Sequence, residues 1–545
     1  MPEETEKKEV RRTQSIGKGS LAIMFAQILF LGFNFILRTY LAHNVTAAEL
    51  DIYHLVVSVL IMSFQRIIHY GLPVAVSKYL SQDPAYLGYF MTKGVRLQIA
   101  FSLILFVIAV AITPIIVVVV KSRAVVVPYL IGCISIPFFA IYNIRLCILN
   151  GLRRFYQESV TMTAFGLFRL LTVVLVVFTV IRLGPEFTDK FDSGSEWGFN
   201  LVSLNGAILA STFAALLGLS IGWAFTREKF GYREDPNMLK DIIHFVGPNI
   251  VSILLLHLLM NVDIFLVNRF FVSDLDQAGY YAQASFIALL PFILFNALYA
   301  TIFPNIIYEI SNGAIERAKE IVMFSTRIVS ITLIPMCLVV WASASEIIDL
   351  FNPPQYLSAS LALSILIVTI SLFTLFMNLG VITVAGGHPR KFTSAFLITL
   401  PLGVIFNLIL VPFLAHIGTK LPYGQDYTIW LKMNGSEELI SVSWALAGAA
   451  IAAGLTAIVG CLYLGFHVRK RFGGLFNYKT SLRALLASIP AYLVIRLIPF
   501  HGVMILVELL IAIIVYSIAI LAIGEFNSDE MSQILGRLKK KDKTL

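Results

Sequence analysis

Charge is what this sequence has least of. Only 13% of its 545 residues are charged, against 58% hydrophobic, where an ordinary soluble domain carries about a quarter charged residues. So little polar surface cannot keep a body of this size in water, and lipid must cover much of it. Cysteine is nearly absent. Cys133, Cys147, Cys337 and Cys461 lie far apart in apolar runs, which excludes a disulfide framework or a metal-ligand spacing and leaves four thiols acting as small hydrophobes. There is no G-x-x-x-x-G-K-[ST] loop, and no inner loop is long enough for a nucleotide-binding domain, so the chain does not hydrolyse ATP by itself. HExxH and GxSxG motifs are missing too, and the loops leave no room for a soluble catalytic module. The chain does not read as an enzyme, and it shows no metal or cofactor site.

What is present is a series of long apolar runs. A helix crossing the hydrocarbon core needs about 20 mainly apolar residues. Such runs span Leu21–Leu41, Ile52–Leu80, Gly94–Val120, Val125–Leu149, Ser159–Ile181, Leu201–Thr226, Asp241–Asn268, Ala278–Ile307, Ile321–Ser345, Leu357–Ala385, Phe392–Ile417, Leu439–Gly465, Leu482–Pro499 and Val503–Gly524. The fold class is therefore an all-α polytopic membrane protein of about fourteen transmembrane helices. The first run is too long for a signal-peptide core and no cleavage site follows it closely, so it reads as a retained helix.

Loop charge fixes the orientation. With the N-terminus inside, Arg153/Arg154, Arg227/Lys229/Arg233, Arg317/Lys319, Arg390/Lys391, Arg469/Lys470/Arg471 and the tail from Arg537 to Lys543 all fall on the cytoplasmic side, as the positive-inside rule requires. Both termini are expected in the cytoplasm and the chain in the cell (inner or plasma) membrane. The long loops Gly184–Asn200 and Gly418–Glu438 are acidic and fall outside, with the sequons Asn44-Val45-Thr46 and Asn434-Gly435-Ser436. The net charge of +9 is explained by the inner loops and points to anionic lipid headgroups, not to nucleic acid.

The basic stretch Arg227–Lys240 divides the first twelve spans into two sets of six that begin on the same side. Any repeat would therefore be parallel, with a pseudo-twofold axis along the membrane normal. The expected organisation is a cytoplasmic tail over 1–20, a six-helix lobe over 21–226 and a linker over 227–240. A second six-helix lobe follows over 241–467, then two appended helices over 468–524 and a basic tail over 525–545. Pro73, Pro114, Pro248, Pro291, Pro335, Pro401 and Pro490 fall inside the runs as candidate kinks.

Arginines inside the membrane carry the functional information. Arg38, Arg66, Arg145, Arg169 and Arg327 lie within expected spans, where a cation at mid-bilayer costs about 2.5–3.5 kcal/mol even on the lenient insertion scale. Arg38 and Arg145 are near span ends and can snorkel; Arg66 and Arg169 are deeper and need a counter-charge or a wet cavity. At helical spacing Ser20, Gln27, Asn34 and Arg38 share one face. His54, Ser58, Gln65 and His69 form a second stripe beside Arg66, and Thr161, Arg169, Thr172 and Thr179 a looser third. Such faces are either hydrogen-bonding seams between helices or the wall of a cavity. The candidate substrate-binding residues are Arg38, Arg66, Arg169, Arg145, Gln27, Asn34 and His69. Asp263 reads as the one carboxylate deep in the two lobes, for a structural ion pair with an arginine or for Na+ or H+ coupling. Excess guanidinium suits an anionic substrate, because its planar fork matches phosphate and stays charged.

The run Leu37-Arg38-Thr39-Tyr40-Leu41-Ala42, the segment GLPVAVSKYL over Gly71–Leu80, Asp263 followed by Gly279-Tyr280-Tyr281-Ala282-Gln283-Ala284 and Pro291, and IIDLFNPPQY over Ile347–Tyr356 resemble the multidrug/oligosaccharidyl-lipid/polysaccharide exporter superfamily. Within it the chain is most similar to polysaccharide biosynthesis (O-antigen-type) flippases. That resemblance implies two six-helix lobes working by alternating access. It also implies movement of polyprenyl-pyrophosphate-linked oligosaccharide to the outer leaflet, with glycan-assembly machinery as a partner. Lipid II flippases share the fourteen-span count but carry several arginines on the first span, where this chain has Arg38 alone. A cation or drug antiporter of the same fold, which would want an acidic interior, and a membrane enzyme acting on lipid-linked sugars are the alternative readings.

Overall fold

A computed structural model describes residues 2–183, 201–226, 238–271, 275–420, 427–433, 436–473, 478–497 and 502–525. The linker over 227–237, the loop over 184–200, residues 421–426 and 434–435 of the loop over 418–438 (with Asn434 and Gly435 of its sequon), and the tail beyond 525 lie outside the described residues. Almost every described residue is helical, as the continuous apolar runs dictate: with no water to receive them, backbone N–H and C=O groups must pair within the segment.

Among the described residues twelve helical stretches are long and apolar enough to cross a membrane, and a bent pair makes a thirteenth. The first 282 residues form one compact unit and the remainder a second. In the first unit α1 (Pro2–Asn44) is followed by α2 (Ala47–Tyr53), a π-helical segment His54–Ile61, α3 (Met62–Tyr70) and α4 (Leu72–Gln82), which together make the second span. Next come α5 (Val95–Ala111), α6 (Thr113–Val120), α7 (Val126–Cys133), α8 (Ser135–Gly151), α9 (Phe155–Leu183) and α10 (Leu201–Phe225). The seventh expected run is α11 (Met238–Leu259) and α12 (Val262–Phe270), with Ile250–Leu259 and α12 meeting at 44°. Because α11 packs on α3 and α4, this run belongs to the first compact unit, and the boundary falls inside α13 (Leu275–Ala288).

The second unit continues with α14 (Leu290–Ser311), α15 (Ile315–Ala342), α16 (Ala344–Phe351), α17 (Ser360–Ala385) and α18 (Pro389–Lys420). After a β1–β2 hairpin, Tyr427–Met433 paired antiparallel with Ser436–Val442, come α19 (Trp444–Phe472), α20 (Tyr478–Leu497) and α21 (Ile505–Ala522). The hairpin is a feature the apolar-run reading does not contain. The eighth expected run is divided between α13 and α14.

Small residues let the helices of the second unit approach closely. On α19, Gly448 lies against the Leu410 carbonyl of α18, and Gly454 and Gly460 against Thr369 and Phe376 of α17; a Cβ on any of the three would come within 2.8–2.9 Å of those atoms. Lipid offers no hydrophobic drive between helices, so this close packing is what holds them. Of the expected kinks, Pro335, Pro401 and Pro490 lie inside helices. Pro73, Pro114 and Pro291 instead sit in first turns, where a missing N–H costs nothing.

Basic segments gather at one end of each unit. In the second, Lys319 of α15 approaches Gly473 after α19, and Phe472 packs on Gly386 at the end of α17, beside Arg390/Lys391 and Arg469–Arg471. In the first, Arg154 at the start of α9 donates to the Phe225 carbonyl ending α10 at 3.3 Å.

Candidate functional site

The four thiols are unbridged. The sequon at Asn44 has a structural explanation. Asn44 Nδ2 donates to the Tyr40 carbonyl at 2.7 Å, and Thr46 is the N-cap of α2. Its Oγ accepts from the Glu49 amide at 3.2 Å, while Glu49 Oε2 accepts from the Thr46 amide at 2.8 Å, a capping box.

Arg66 lies on α3, half-buried. Its Nε is buried and has no hydrogen-bond partner among the described residues, and no carboxylate there pairs with it. Its charge reaches His69 and His257. His69 Nδ1 sits 2.6 Å from Asn143 Oδ1 of α8, and His257 Nε2 sits 3.0 Å from the Val59 carbonyl. Arg66 therefore has imidazoles as neighbours and, among the described residues, no anionic partner.

Arg169 is held instead in a network. Nη1 donates to Asn34 Oδ1 at 3.0 Å, Nη2 to Tyr53 hydroxyl at 3.1 Å and Nε to Ser211 Oγ at 3.4 Å. Four helical elements, α1, α2, α9 and α10, meet on one guanidinium whose acceptors are all neutral. Arg145 is buried on α8, with Nη1 on Thr226 Oγ at 3.0 Å and on Met91 Sδ at 3.1 Å. Arg38 is 5% exposed and donates from Nη1 to the Ala282 carbonyl at 3.3 Å. It also lies within electrostatic reach of Asp51.

The candidates thus fall into separate groups. Arg169 and Asn34 are joined, Arg66 and His69 are neighbours, Arg38 and Arg145 stand apart. Gln27 is exposed and makes no hydrogen bond to the others. The threonine stripe is satisfied locally: Thr161, Thr172 and Thr179 each donate to the carbonyl four residues back, at 2.7–2.8 Å, and Thr172 Oγ also lies 3.2 Å from the Ala210 carbonyl of α10. The expected stripe on the second span assumed α-helical periodicity throughout, and the π-helical segment His54–Ile61 rotates one half of it relative to the other.

Asp263 also differs from expectation. Its Oδ2 accepts from Tyr281 hydroxyl at 2.6 Å and its Oδ1 from the Ile264 amide at 2.9 Å, and no arginine pairs with it among the described residues. It lies in the first turn of α12, just after the bend, where the helix dipole and these two donors stabilise a carboxylate without a cation. Nor is it the only deep carboxylate: Asp51 and Glu49 on α2 are buried, as is Glu508 on α21. Asp51 stands one residue before the apolar run Ile52–Leu80, so hydropathy alone does not place it in the second span.

The corner between α1 and α2 packs on the corner between α12 and α13. Asn268 Nδ2 donates to Asp51 Oδ1 at 3.1 Å, the Ala48 amide donates to Asp276 Oδ1 at 2.8 Å, and a Cβ on Gly279 would overlap the Ala47 carbonyl. Only glycine permits that approach.

With this geometry in place, likeness to known proteins is informative. A lipid II flippase, MurJ, in an inward closed conformation superposes with a TM-score of 0.63 at 18% identity, covering 92% of this chain and 97% of that one. An inward-facing multidrug resistance transporter of the MATE family, in the MOP superfamily, gives 0.57 at 13% identity over 83% and 98%. A MOP superfamily transporter from Pyrococcus furiosus, described for a binding pocket of reverse polarity, gives 0.52 at 15% identity over 83% and 95%. At such identities these matches establish the fold. A search of curated proteins returned no significant match. The sequence profile of the family described as polysaccharide biosynthesis protein matches residues 16–307, more than half of the chain and all of the Arg38, Arg66, Arg145, Arg169 and Asp263 positions, and the chain belongs to that family.

Proposed function

We propose that this multi-pass membrane protein is a flippase that carries a polyprenyl-pyrophosphate-linked oligosaccharide from the cytoplasmic to the outer leaflet by alternating access. Membership of the polysaccharide biosynthesis family and a fold shared with a lipid II flippase support a flippase or transporter. The observation that carries the choice of cargo is Arg66, a guanidinium inside a span whose buried Nε has no hydrogen-bond partner, and which no carboxylate pairs, among the described residues. A charge left in that state costs several kcal/mol unless something anionic visits it, and a pyrophosphate offers the oxygens its planar fork fits. A cation antiporter of the same fold would have no use for a positive charge there.

Reconstitution tests the reading. Proteoliposomes containing a fluorescent polyprenyl-pyrophosphate disaccharide report transfer between leaflets through the accessibility of the label to a membrane-impermeant quencher. Wild-type protein accelerates transfer; Arg66→Ala removes the acceleration while inserting normally, and Arg66→Lys recovers part of it. Unchanged transfer in Arg66→Ala removes the argument for an anionic cargo.

A further inference from the structure

The second span carries a polar pair that the flippase reading leaves unused. Asp51 on α2 has no exposed surface. Asn268 donates to its Oδ1, while Oδ2 is buried with no hydrogen-bond partner among the described residues. Three residues on, His54 is 5% exposed and neither of its ring nitrogens finds a partner there. Unsatisfied buried polar atoms are scarce in native proteins and call for an explanation; here two titratable side chains on one helical turn hold three. His54 also opens the π-helical segment, and π-turns inside α-helices collect at functional sites.

The surroundings limit what this pair can bind. The ionisable groups on its own helix and on elements packed against it include Glu49 and Tyr53 on α2, Arg38 on α1, Arg66 and His69 on α3, Tyr129 and Cys133 on α7, Asp263 on α12, and Asp276, Tyr280 and Tyr281 on α13. Arg169 on α9 reaches Tyr53, His257 on α11 reaches Val59, and Arg269 on α12 follows Asn268; α10 brings none. A hard metal cation takes about six oxygen ligands, whereas this pair offers one free carboxylate oxygen and two imidazole nitrogens with a guanidinium in electrostatic reach. A proton needs one acceptor. Placed on Asp51 it makes the carboxyl a donor, and placed on His54 it makes both ring nitrogens donors.

We propose that Asp51 and His54 form the proton-carrying site that couples transport to a proton gradient. One proton is taken up onto the carboxylate or the imidazole from one aqueous face when the helices around it part, and released to the other face later in the cycle. Only an O–H or N–H bond forms and breaks. The purpose of the site rests on the flippase reading; its proton exchange does not, and can be measured without cargo.

The experiment takes the full-length protein in lipid nanodiscs and records infrared difference spectra between acidic and alkaline buffers. Wild-type protein shows a protonated-carboxyl band that is lost in Asp51→Asn, and an imidazole band lost in His54→Gln together with a shift in the pH midpoint of the carboxyl band. Bands unchanged by both substitutions overturn the proposal. So does a wild-type response to sodium against potassium at constant pH that Asp51→Asn abolishes, since it would assign the site to a metal cation. Should Asp51→Asn fail to insert, His54→Gln and the wild-type sodium titration still decide. In proteoliposomes holding the disaccharide probe, a pH gradient drives wild-type transfer and drives neither variant; wild-type transfer indifferent to the gradient overturns the coupling role. If the flippase reading alone is wrong, no transfer occurs but the spectra stand.

Discussion

At the scale of single residues, two arginines that look alike in sequence are differently placed. Arg169 uses all three of its nitrogens on Asn34, Tyr53 and Ser211, whereas Arg66 Nε has no partner among the described residues. Hydrogen bonds from a charged donor contribute about 1.5–3 kcal/mol each at most, and they are shared here among four helical elements. Arg169→Met is therefore expected to lower the thermal unfolding temperature in detergent, by an amount corresponding to roughly 2–4 kcal/mol. Arg66→Ala should leave it unchanged or raise it. Equal losses in both would place the two side chains in the same structural role. The burden on Arg66 and Arg169 was legible in the sequence, because charge inside an apolar run is costly wherever it points. Their partners were not, since Asn34, Tyr53, Ser211 and Asn143 come from other helices. His54 was legible as part of a polar stripe but its setting was not, because the π-helical segment breaks the 100° periodicity on which any face is read; Asp51 stands just outside the apolar run.

Individual helices were found by their length and apolarity: among the described residues thirteen spans answer to the about fourteen expected, the run Ala278–Ile307 is split between α13 and α14, and the run from Leu439 begins in β2. Their ends were less legible, because Pro73, Pro114 and Pro291 begin new helices within a run, and hydropathy does not register a change of axis. The β1–β2 hairpin was hidden by its polar, acidic surroundings, which read as a loop. Close packing is the property of these helices that mutation can probe most directly. Gly448 of α19 faces the Leu410 carbonyl, which cannot move without displacing α18. Gly448→Leu adds a branched side chain where a single Cβ would stand 2.8 Å from backbone, and overpacking of this kind costs about 1–3 kcal/mol. Reduced melting temperature and faster proteolysis between α18 and α19 are expected; wild-type stability would mean that α19 is not seated where Gly448 places it. Gly502, also in the second unit, has open space around its Cβ position, but its φ of 60° penalises a side chain through the backbone instead.

On the scale of the whole molecule, charge is distributed by function. The appended helices are tied to the rest of the second unit by one buried carboxylate. Glu525 Oε1 accepts from Arg327 Nε of α15 at 2.9 Å and from Thr480 Oγ of α20 at 2.7 Å, and Oε2 accepts from Arg483 Nη1 at 3.2 Å. Glu525 is buried while Arg483 is 41% exposed, so its loss is expected to cost roughly 2 kcal/mol, less than a fully buried pair. In Glu525→Ala the loop between α19 and α20 should become more susceptible to protease with the remaining spans unaffected; unaltered cleavage would show that α20 and α21 are held by their apolar contacts alone.

That clamp lies at the same end as Thr480 and the start of α20, and the chain reaches this end repeatedly through basic segments. Lys319 approaches Gly473, and Phe472 meets Gly386, so Arg317/Lys319, Arg390/Lys391 and Arg469–Arg471 are collected together although they are far apart in sequence. The hairpin joins the opposite ends of α18 and α19. Lys and Arg are retained on the cytoplasmic side during insertion, so the basic end is expected inside and the hairpin outside. A cysteine at Lys391 should react with an impermeant maleimide only after permeabilisation, and one at Ser441 in intact cells, each in a chain whose four native cysteines are replaced. The reverse pattern would overturn the cytoplasmic placement of the basic end, and with it the orientation on which the proposed direction of transport rests.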